Sequence, residues 1–288
     1  MNKSIKSLII IVVILFTVFF SACQISNVGS YNRGHWAYSD KESQFVNEIE
    51  IEWNSGDITI NFVDDTQSHG IVVLCLSNIA QHVPVHKIEN NTLKIDFCSH
   101  KFHLGVQKSK WLEINIPKSL VSLKNIEIEN SSGTVEINEL SLDEVSIDMV
   151  SGSININKCS LNKLSTESVN SDIVIDSSTI KEIDIENVSG TVNASGTFKI
   201  IDLETVSGDV KITSDICPSK VEIDAVSSEI EILIPENDGF EVELYSTSGT
   251  LKIGFEVYVE KTWIYKDGGN KFIFDVVSSN INIKKLYK

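Results

Sequence analysis

Five residues of the types that bind metals lie close together in the first half of the chain. They are His82, His86, Cys98, His100 and His103. Imidazole and thiolate groups are ligands that zinc prefers, but this spacing matches no established zinc signature. Pro84 also prevents a regular helix that would bring His82 and His86 onto one face. We therefore expect ordinary surface histidines here, with no metal and no cofactor.

Catalytic groups are sparse in the rest of the chain. The single arginine, Arg33, precedes the first strand pattern, and no histidine follows His103. Neither the G-x-x-x-x-G-K nor the G-x-G-x-x-G phosphate-binding motif is present. The turns within residues 130–255 are short, whereas β-helix polysaccharide lyases and hydrolases build their clefts from long loops. The sequence therefore predicts a protein that is not an enzyme, and a carbohydrate-active β-helix enzyme is the least favoured alternative.

Carboxylates recur at one position of a repeated strand. The residues at this position are Glu129, Asp148, Glu167, Glu186, Glu204, Asp224, Tyr245 and Asp275. Strand side chains alternate between two faces, so this column points away from the core, with a spacing of about 4.8 Å. Adjacent carboxylates at that distance repel by about 0.9 kcal/mol in water. The column from Glu129 to Asp224 predicts either a solvated face that prevents association between sheets, or a face that binds divalent cations or a cationic peptide.

These carboxylates belong to a unit that recurs about every 19 to 21 residues and includes a phrase of the type S-G-x-V-x-I. Its copies begin at residues 132, 151, 170, 189, 207, 227, 248 and 278, and an earlier relative begins at Ser55. Each unit carries a second alternating run before the phrase, so a unit is two short strands and two turns. One unit cannot bury its apolar face alone, whereas stacked units can.

The second residue of the phrase is always small. This corner column consists of Gly133, Gly152, Ser171, Gly190, Gly208, Ser228, Gly249 and Ser279. Each residue of this column lies an even number of positions before the apolar residues of its phrase, so it points to the same side as they do, which is inward. We expect a corner of the wall here, where a large side chain would collide with the opposite strand. This structural role removes the glycines from the candidates for ligand binding.

The N-terminal segment has the features of a secretion signal. Lys3 and Lys6 precede the run 8–20, which is apolar except for Thr17 and too short to span a membrane as a helix. The sequence Phe-Ser-Ala-Cys that ends at Cys23 resembles the lipobox of bacterial lipoproteins. That resemblance implies cleavage before Cys23 and lipidation of Cys23. An ordinary secretion signal and an uncleaved anchor are the alternatives.

The remaining cysteines fall into two pairs. Cys75 and Cys98 either form a disulfide outside the cell or remain thiols. Cys159 and Cys217 are three coils apart, about 14 Å on the strand spacing, which is too far for a disulfide.

Together these patterns predict an all-β chain, a parallel β-solenoid with two short strands per coil of about 19 to 21 residues, capped at both ends. Residues 1–22 are the predicted lipoprotein signal peptide, and 23–44 the lipidated cysteine with a polar tether. Residues 45–118 are the predicted N-terminal β cap. Residues 119–288 are the solenoid repeats, with a hairpin extension near 255–272.

The chain resembles the putative-adhesin β-solenoid family of bacterial surface proteins over roughly residues 45–288. The resemblance rests on the lipobox, on W-N-S-G-D-I-T-I from Trp53, on L-E-I-N-I-P from Leu112 and on the serial V-S-G units. It implies a role in the cell envelope, and some relatives are tied to envelope stress and antimicrobial-peptide responses. It carries no catalytic motif.

The composition limits the partners further. The formal net charge of -16 disfavours nucleic acid as a partner, because phosphate binding needs clusters of lysine and arginine, and we expect none. We expect a non-enzymatic lipoprotein, anchored by lipid to the outer face of the bacterial cytoplasmic membrane. It would act as a binding or envelope-stress-sensing scaffold for a cationic peptide, a divalent cation or a cell-wall component. The alternative is an adhesin or structural protein that binds a wall polymer or a protein.

Overall fold

The structure, a computed structural model, describes residues 35–67, 69–77, 84–97, 110–259 and 261–287. These residues form a 20-stranded sheet and one helical turn, α1 (Asp40–Ser43). The prediction of an all-β chain is confirmed. In this part of the chain, no helix combines the length and the apolar character needed to cross a membrane.

The strands in chain order are β1 (His35–Ala37), β2 (Glu48–Trp53), β3 (Asp57–Val63), β4 (Val72–Ser77), β5 (Val85–Glu89), β6 (Thr92–Phe97), β7 (Lys110–Pro117), β8 (Asn125–Asn138), β9 (Ser141–Asn157), β10 (Ser160–Ser189), β11 (Val192–Ser207), β12 (Val210–Ser214), β13 (Lys220–Ser227), β14 (Glu229–Ile234), β15 (Gly239–Ser246), β16 (Thr250–Ile253), β17 (Val257–Val259), β18 (Trp263–Lys266), β19 (Asn270–Val276) and β20 (Asn280–Lys285).

Most strands pair in parallel along two rows. The first row runs β6–β2–β8–β9–β10–β11–β13–β19–β15, and the second row runs β7–β3–β8–β9–β10–β11–β12–β14–β20–β16. The long strands β8 to β11 turn a corner and belong to both rows. We call a first-row segment and the second-row segment that follows it in the chain a level. In the central levels the register keeps the predicted step, since Val145 pairs with Ile126 on one side and Leu164 on the other.

The order of the levels departs from the order of the sequence at both ends. β19 and β20 lie between the level β13–β14 and the level β15–β16. Likewise, β2 and β3 lie between the level β6–β7 and β8. At these two places the order of the levels is therefore not the order of the segments in the sequence, and at the C-terminal end it departs from a simple succession of repeat units. At the C-terminal end the reason is that β18 pairs antiparallel with β15, Val242 opposite Trp263. With one edge of β15 taken, the last unit pairs along the other edge.

A shorter third side connects the second row to the first row of the next level. Here Leu142 pairs with Leu161, and Ile180 pairs with Phe198, again in parallel. β10 therefore continues through this side without a break. The predicted unit of two strands and two turns does not describe these central levels fully.

The sheet is open at its ends. β5 pairs antiparallel with β6 at one end of the first row, and β18 and then β17 follow β15 at the other. In the second row, β4 and then β1 follow β7, whereas β16 is the outermost strand at the opposite end.

The core lies between the rows and consists mainly of isoleucine and valine. Alternate residues of each strand are buried, as in β14 with Ile230, Ile232 and Ile234. Near the C-terminal end the core contains aromatic side chains. Phe240 and Phe272 stack with ring centroids 5.1 Å apart, which joins the inserted level to the level beside it.

Asparagines form a ladder on the outer side of the second row. Asn61 donates to Asn115 at 3.1 Å, Asn138 donates to Asn61 at 3.0 Å, and Asn157 donates to Asn138 at 3.0 Å. The amides of Asn61 and Asn138 therefore each donate to one neighbouring level and accept from the other, which fixes the register of four levels.

Candidate binding faces

The predicted acidic column forms an unbroken ladder on the first row, longer than the sequence predicts. In order along the stack it contains Asp96, Glu52, Glu129, Asp148, Glu167, Glu186, Glu204, Asp224 and Asp275, followed by Tyr245. The inserted level places Asp275 next to Asp224, so Tyr245 comes last instead of interrupting the run. We call these nine carboxylates the acidic ladder.

Burial and mutual repulsion shift the protonation of the ladder. Burial, and then the charges of Glu167, Glu129 and Glu127, raise the pKa of Asp148 to about 7. Burial, and then Glu167 and Glu204, raise the pKa of Glu186 to about 7. The pKa of Glu204 rises to about 6, again mainly through burial. The ladder therefore holds part of its protons near neutral pH, and it carries less charge than its formal count.

Other columns of the same face hold both signs of charge. Lys163 lies 3.2 Å from Asp184, and Lys220 lies 2.5 Å from Glu222. Lys94 pairs with Glu50. These lysines neutralise carboxylates beside the ladder, so the negative potential of the face is concentrated along the ladder itself.

The corner column lies where the first row turns into the second, but the predicted reason for its small residues is wrong. A Cβ atom on Gly152 would lie 2.0 Å from the carbonyl oxygen of Gly133, one level away. On Gly208 it would lie 1.9 Å from the carbonyl oxygen of Gly190. The neighbouring level, and not the opposite strand, therefore excludes side chains there.

The serines of the corner column are accommodated differently. Ser171, Ser228 and Ser279 are buried, and none of them adopts the positive φ that every glycine of the column except Gly249 has. The Ser279 hydroxyl accepts a hydrogen bond of 3.0 Å from the Ser228 amide. Two levels in contact can therefore both carry serine at this corner.

Several predicted site residues fall outside the described part of the chain. Cys23 does so, and so do His82, Cys98, His100 and His103. His86 is described, and its Nδ1 forms a 2.5 Å hydrogen bond with the Tyr38 hydroxyl. Among the described residues no group of three or more histidine, cysteine, aspartate or glutamate side chains is arranged to hold a metal.

The described cysteines agree with the predicted separation of Cys159 and Cys217, since both are free thiols. Burial raises the pKa of each to about 11, so both thiols stay protonated near neutral pH. Cys75 is buried, and its predicted pairing with Cys98 stays a prediction.

The sequence does not predict a groove of about 680 Å³ along the third side. The groove runs from the segment around Val121 to Ile216, and serine, threonine and lysine side chains line it between these ends, together with Asp143, Asn162 and several leucines. A signal was present in the sequence. Ser141, Ser160, Thr179 and Thr197 repeat with the step of the units, but they lie in turns that the two-strand unit leaves out.

Comparison with known proteins finds a matching family and similar folds. A family model described as Toastrack DUF4097 matches residues 46–284. A crystal structure of a putative adhesin from Bacteroides fragilis has a TM-score of 0.52 and 15% sequence identity, over 88% of this chain and 95% of that one. No curated protein sequence matches the chain.

Two structures from Parabacteroides distasonis are also similar. A putative adhesin has a TM-score of 0.49 and 13% identity, over 86% of this chain and 94% of that one. A protein described as a putative lipid binding protein has a TM-score of 0.48 and 14% identity, over 91% of this chain and 100% of that one.

Proposed function

The chain belongs to the Toastrack DUF4097 family, and we propose that it is a non-enzymatic binding or envelope-stress-sensing scaffold of the bacterial cell envelope. In this proposal Cys23 carries the lipid that anchors the chain to the outer face of the cytoplasmic membrane. The description of similar structures as adhesins supports a surface-binding role. We also infer that the chain winds as a solenoid, with its terminal coils covered by the antiparallel strands at each end.

The ligands proposed for the acidic ladder are cations, either a polybasic peptide or divalent ions. The observation that carries this proposal is the unbroken run of nine carboxylates, from Asp96 to Asp275, along one line of the first row. Like charges placed opposite each other destabilise a sheet. A ligand that presents positive charges along the same line relieves this repulsion and gains favourable electrostatic energy.

Labelled polylysine provides the test. At pH 8, where Glu186 is mostly ionised, removing two central charges with Glu167→Gln and Glu186→Gln should weaken binding by about tenfold, or about 1.4 kcal/mol, and should reduce the dependence of affinity on salt. The measurement is fluorescence anisotropy over a range of salt concentrations.

A matched control removes two charges elsewhere. Glu256 and Asp267 are exposed carboxylates in the C-terminal region, and Glu256→Gln with Asp267→Asn should leave polylysine binding nearly unchanged. Equal affinities and equal salt slopes for the ladder variant, the control and the parent protein would contradict the proposal.

The second candidate function is adhesion to a wall polymer or a protein through a surface other than the ladder. The groove of the third side supports it, because its lining combines hydroxyl and ammonium groups instead of carboxylates alone.

A further inference from the structure

The groove of the third side presents side chains from four levels in a regular grid. Ser141, Ser160, Thr179 and Thr197 form one outward column, because Ser160 pairs with Ser141 and Thr179 pairs with Thr197. The link between the two pairs is the Thr179 amide, which donates to the Cys159 carbonyl at 2.8 Å. The result is a line of hydroxyl groups with a spacing of about 4.8 Å.

Two lysines stand beside the last two hydroxyls of this line. Lys181 and Lys199 each lie two residues beyond Thr179 and Thr197, so they point to the same side of the strand. Their levels are adjacent, since Ile180 pairs with Phe198 and Glu182 with Ile200. Two ammonium groups and two hydroxyls therefore face the groove as one compact cluster.

These two lysines are the uncompensated charges of the groove. Lys118 pairs with Glu139 at 3.4 Å, and Lys124 lies 3.5 Å from Asp143. The Asp143 carboxylate also accepts a 2.9 Å hydrogen bond from Asn162. By contrast, Lys181 and Lys199 form no ion pair with any carboxylate that the structure describes.

The shape of the groove suits an elongated ligand. Val121, with 84% of its surface exposed, marks one end, and Ile216, with 41% exposed, marks the other. The volume of about 680 Å³ lies within the range of small-ligand sites. A short stretch of a linear polymer can therefore lie along the hydroxyl column.

We propose that this groove binds a segment of an anionic polysaccharide, with Lys181 and Lys199 pairing with its acidic groups and the hydroxyl column hydrogen-bonding to its sugar hydroxyls. Two adjacent, unpaired ammonium groups repel each other, and a carboxylate or phosphate between them removes that repulsion. The acidic ladder lies about five residues further along the chain, at most roughly 17 Å at the strand rise. Physiological salt, with a Debye length of about 8 Å, screens the repulsion between the ladder and a polyanion in the groove.

This inference rests on the second candidate function, because it supplies the ligand class and the residues for adhesion to a polymer. It is independent of cation binding at the acidic ladder. Failure of the groove proposal and failure of the second candidate function are distinguishable. If the parent protein binds no anionic polysaccharide, the groove proposal is wrong and so is adhesion to an anionic wall polymer, whereas adhesion to a protein or to an uncharged polymer is not contradicted. If it binds one with an affinity that does not depend on Lys181 and Lys199, only the groove is wrong.

The experiment uses the full mature chain and three soluble polymers. Polygalacturonate carries a carboxylate and free hydroxyls on each sugar, polyglutamate carries carboxylates without hydroxyls, and dextran carries hydroxyls without charge. At physiological salt, titration calorimetry should give an affinity for polygalacturonate at least tenfold above that for either other polymer. Equal affinity for polyglutamate would overturn the role of the hydroxyl column.

Variants then locate the site. Lys181→Gln with Lys199→Gln should weaken polygalacturonate binding by at least tenfold. The matched control is Lys252→Gln with Lys261→Gln, which removes two exposed lysine charges at the C-terminal end. It should change the affinity by less than twofold. The same loss in both double variants, or in neither, would overturn the assignment.

A further pair of variants keeps the charges and removes only the hydroxyls. Thr179→Val with Thr197→Val should reduce the preference for polygalacturonate over polyglutamate without lowering the affinity for polyglutamate. An unchanged preference would show that these hydroxyls do not bind the ligand. Both positions are on the surface of the groove, and thermal melting of each variant checks that the fold is retained.

Discussion

At Gly208 the main chain has a φ of +135°, and the level that contains Gly190 lies so close that no side chain fits at position 208. We predict that Gly208→Ala destabilises the protein by at least about 2 kcal/mol, since both backbone strain and the collision with the Gly190 carbonyl oppose it. Chemical denaturation of the purified variant measures this loss.

Gly269 separates the two effects. Its φ is +100°, but no heavy atom lies within 4 Å of the position that a Cβ atom would take there. Gly269→Ala should therefore cost only the backbone strain, about 1 kcal/mol. If the two substitutions destabilise the protein equally, the contact between levels does not select glycine at the corner.

The alternation of side chains along a strand was enough to locate the outward acidic ladder and the inward corner column. The alternation of apolar and polar residues predicted the acidic ladder and the corner column, because strand side chains have a period of two. It could not give the reason for the small residues at Gly152, since the nearest atom belongs to the neighbouring level. The asparagine ladder was also recoverable, as asparagine recurs beside isoleucine at Asn61, Asn115, Asn138 and Asn157.

At the scale of the strands, the repeat defined the units but not their neighbours. The phrase beginning at Ser248 follows the one at Ser227 by 21 residues, a step typical of adjacent levels. The structure nevertheless inserts β19 and β20 between them. The pairing of β18 with β15 decides this order, and a contact between strands distant from the repeat phrase has no periodic signal.

Cysteine cross-linking tests the inserted level. Asp224 pairs with Asp275, and Asp275 pairs with Tyr245 on its other side. Replacing both aspartates with cysteine should give a disulfide within the chain on mild oxidation, because neighbouring strands lie about 4.8 Å apart. Peptide mapping by mass spectrometry identifies the bond among the native cysteines.

The comparison variant carries Asp224→Cys with Tyr245→Cys. These positions are two levels apart, about 9.6 Å, so a disulfide should not form. The serial order that the repeat suggests would give the opposite result, with a bond in this variant and none between positions 224 and 275.

At the scale of the molecule, the acidic ladder and the two unpaired lysines of the groove lie on different sides of the stack. Most carboxylates of the first row face one side, whereas the free lysines Lys181 and Lys199 face the groove of the third side. The formal charge of -16 gives no sign of this separation. Only the register of the levels brings these scattered lysines and carboxylates together into a lysine pair in the groove and an acidic ladder on the first row.

Burial and crowding of the carboxyl groups in the acidic ladder make the free energy of unfolding depend on pH. The pKa of Asp148 rises from 3.8 to about 7 and that of Glu186 from 4.5 to about 7 on folding. The folded state therefore holds more protons than the unfolded state in this window. The stability that these two carboxyl groups contribute is fully present below about pH 4 and is lost as the pH rises through 7. Glu236 acts in the other direction, because Lys266 and Lys285 lower its pKa to about 2. The stability that Glu236 contributes is fully present above about pH 4.5 and is lost only as the pH falls towards 2, so it does not change between pH 5 and pH 8.

Between pH 5 and pH 8, we therefore predict that the thermal midpoint falls as the pH rises, and that Glu186→Gln reduces this fall. The amide cannot ionise, so the variant should be about 1 kcal/mol more stable than the parent protein at pH 8 and nearly equal to it at pH 4. Asp267→Asn removes an exposed carboxylate of the turn before β19 and should leave the pH dependence unchanged. Thermal melts of the three proteins across this range measure the difference. Parallel curves for the parent protein and Glu186→Gln would mean that burial and the neighbouring carboxylates do not raise the pKa of Glu186 in the folded protein.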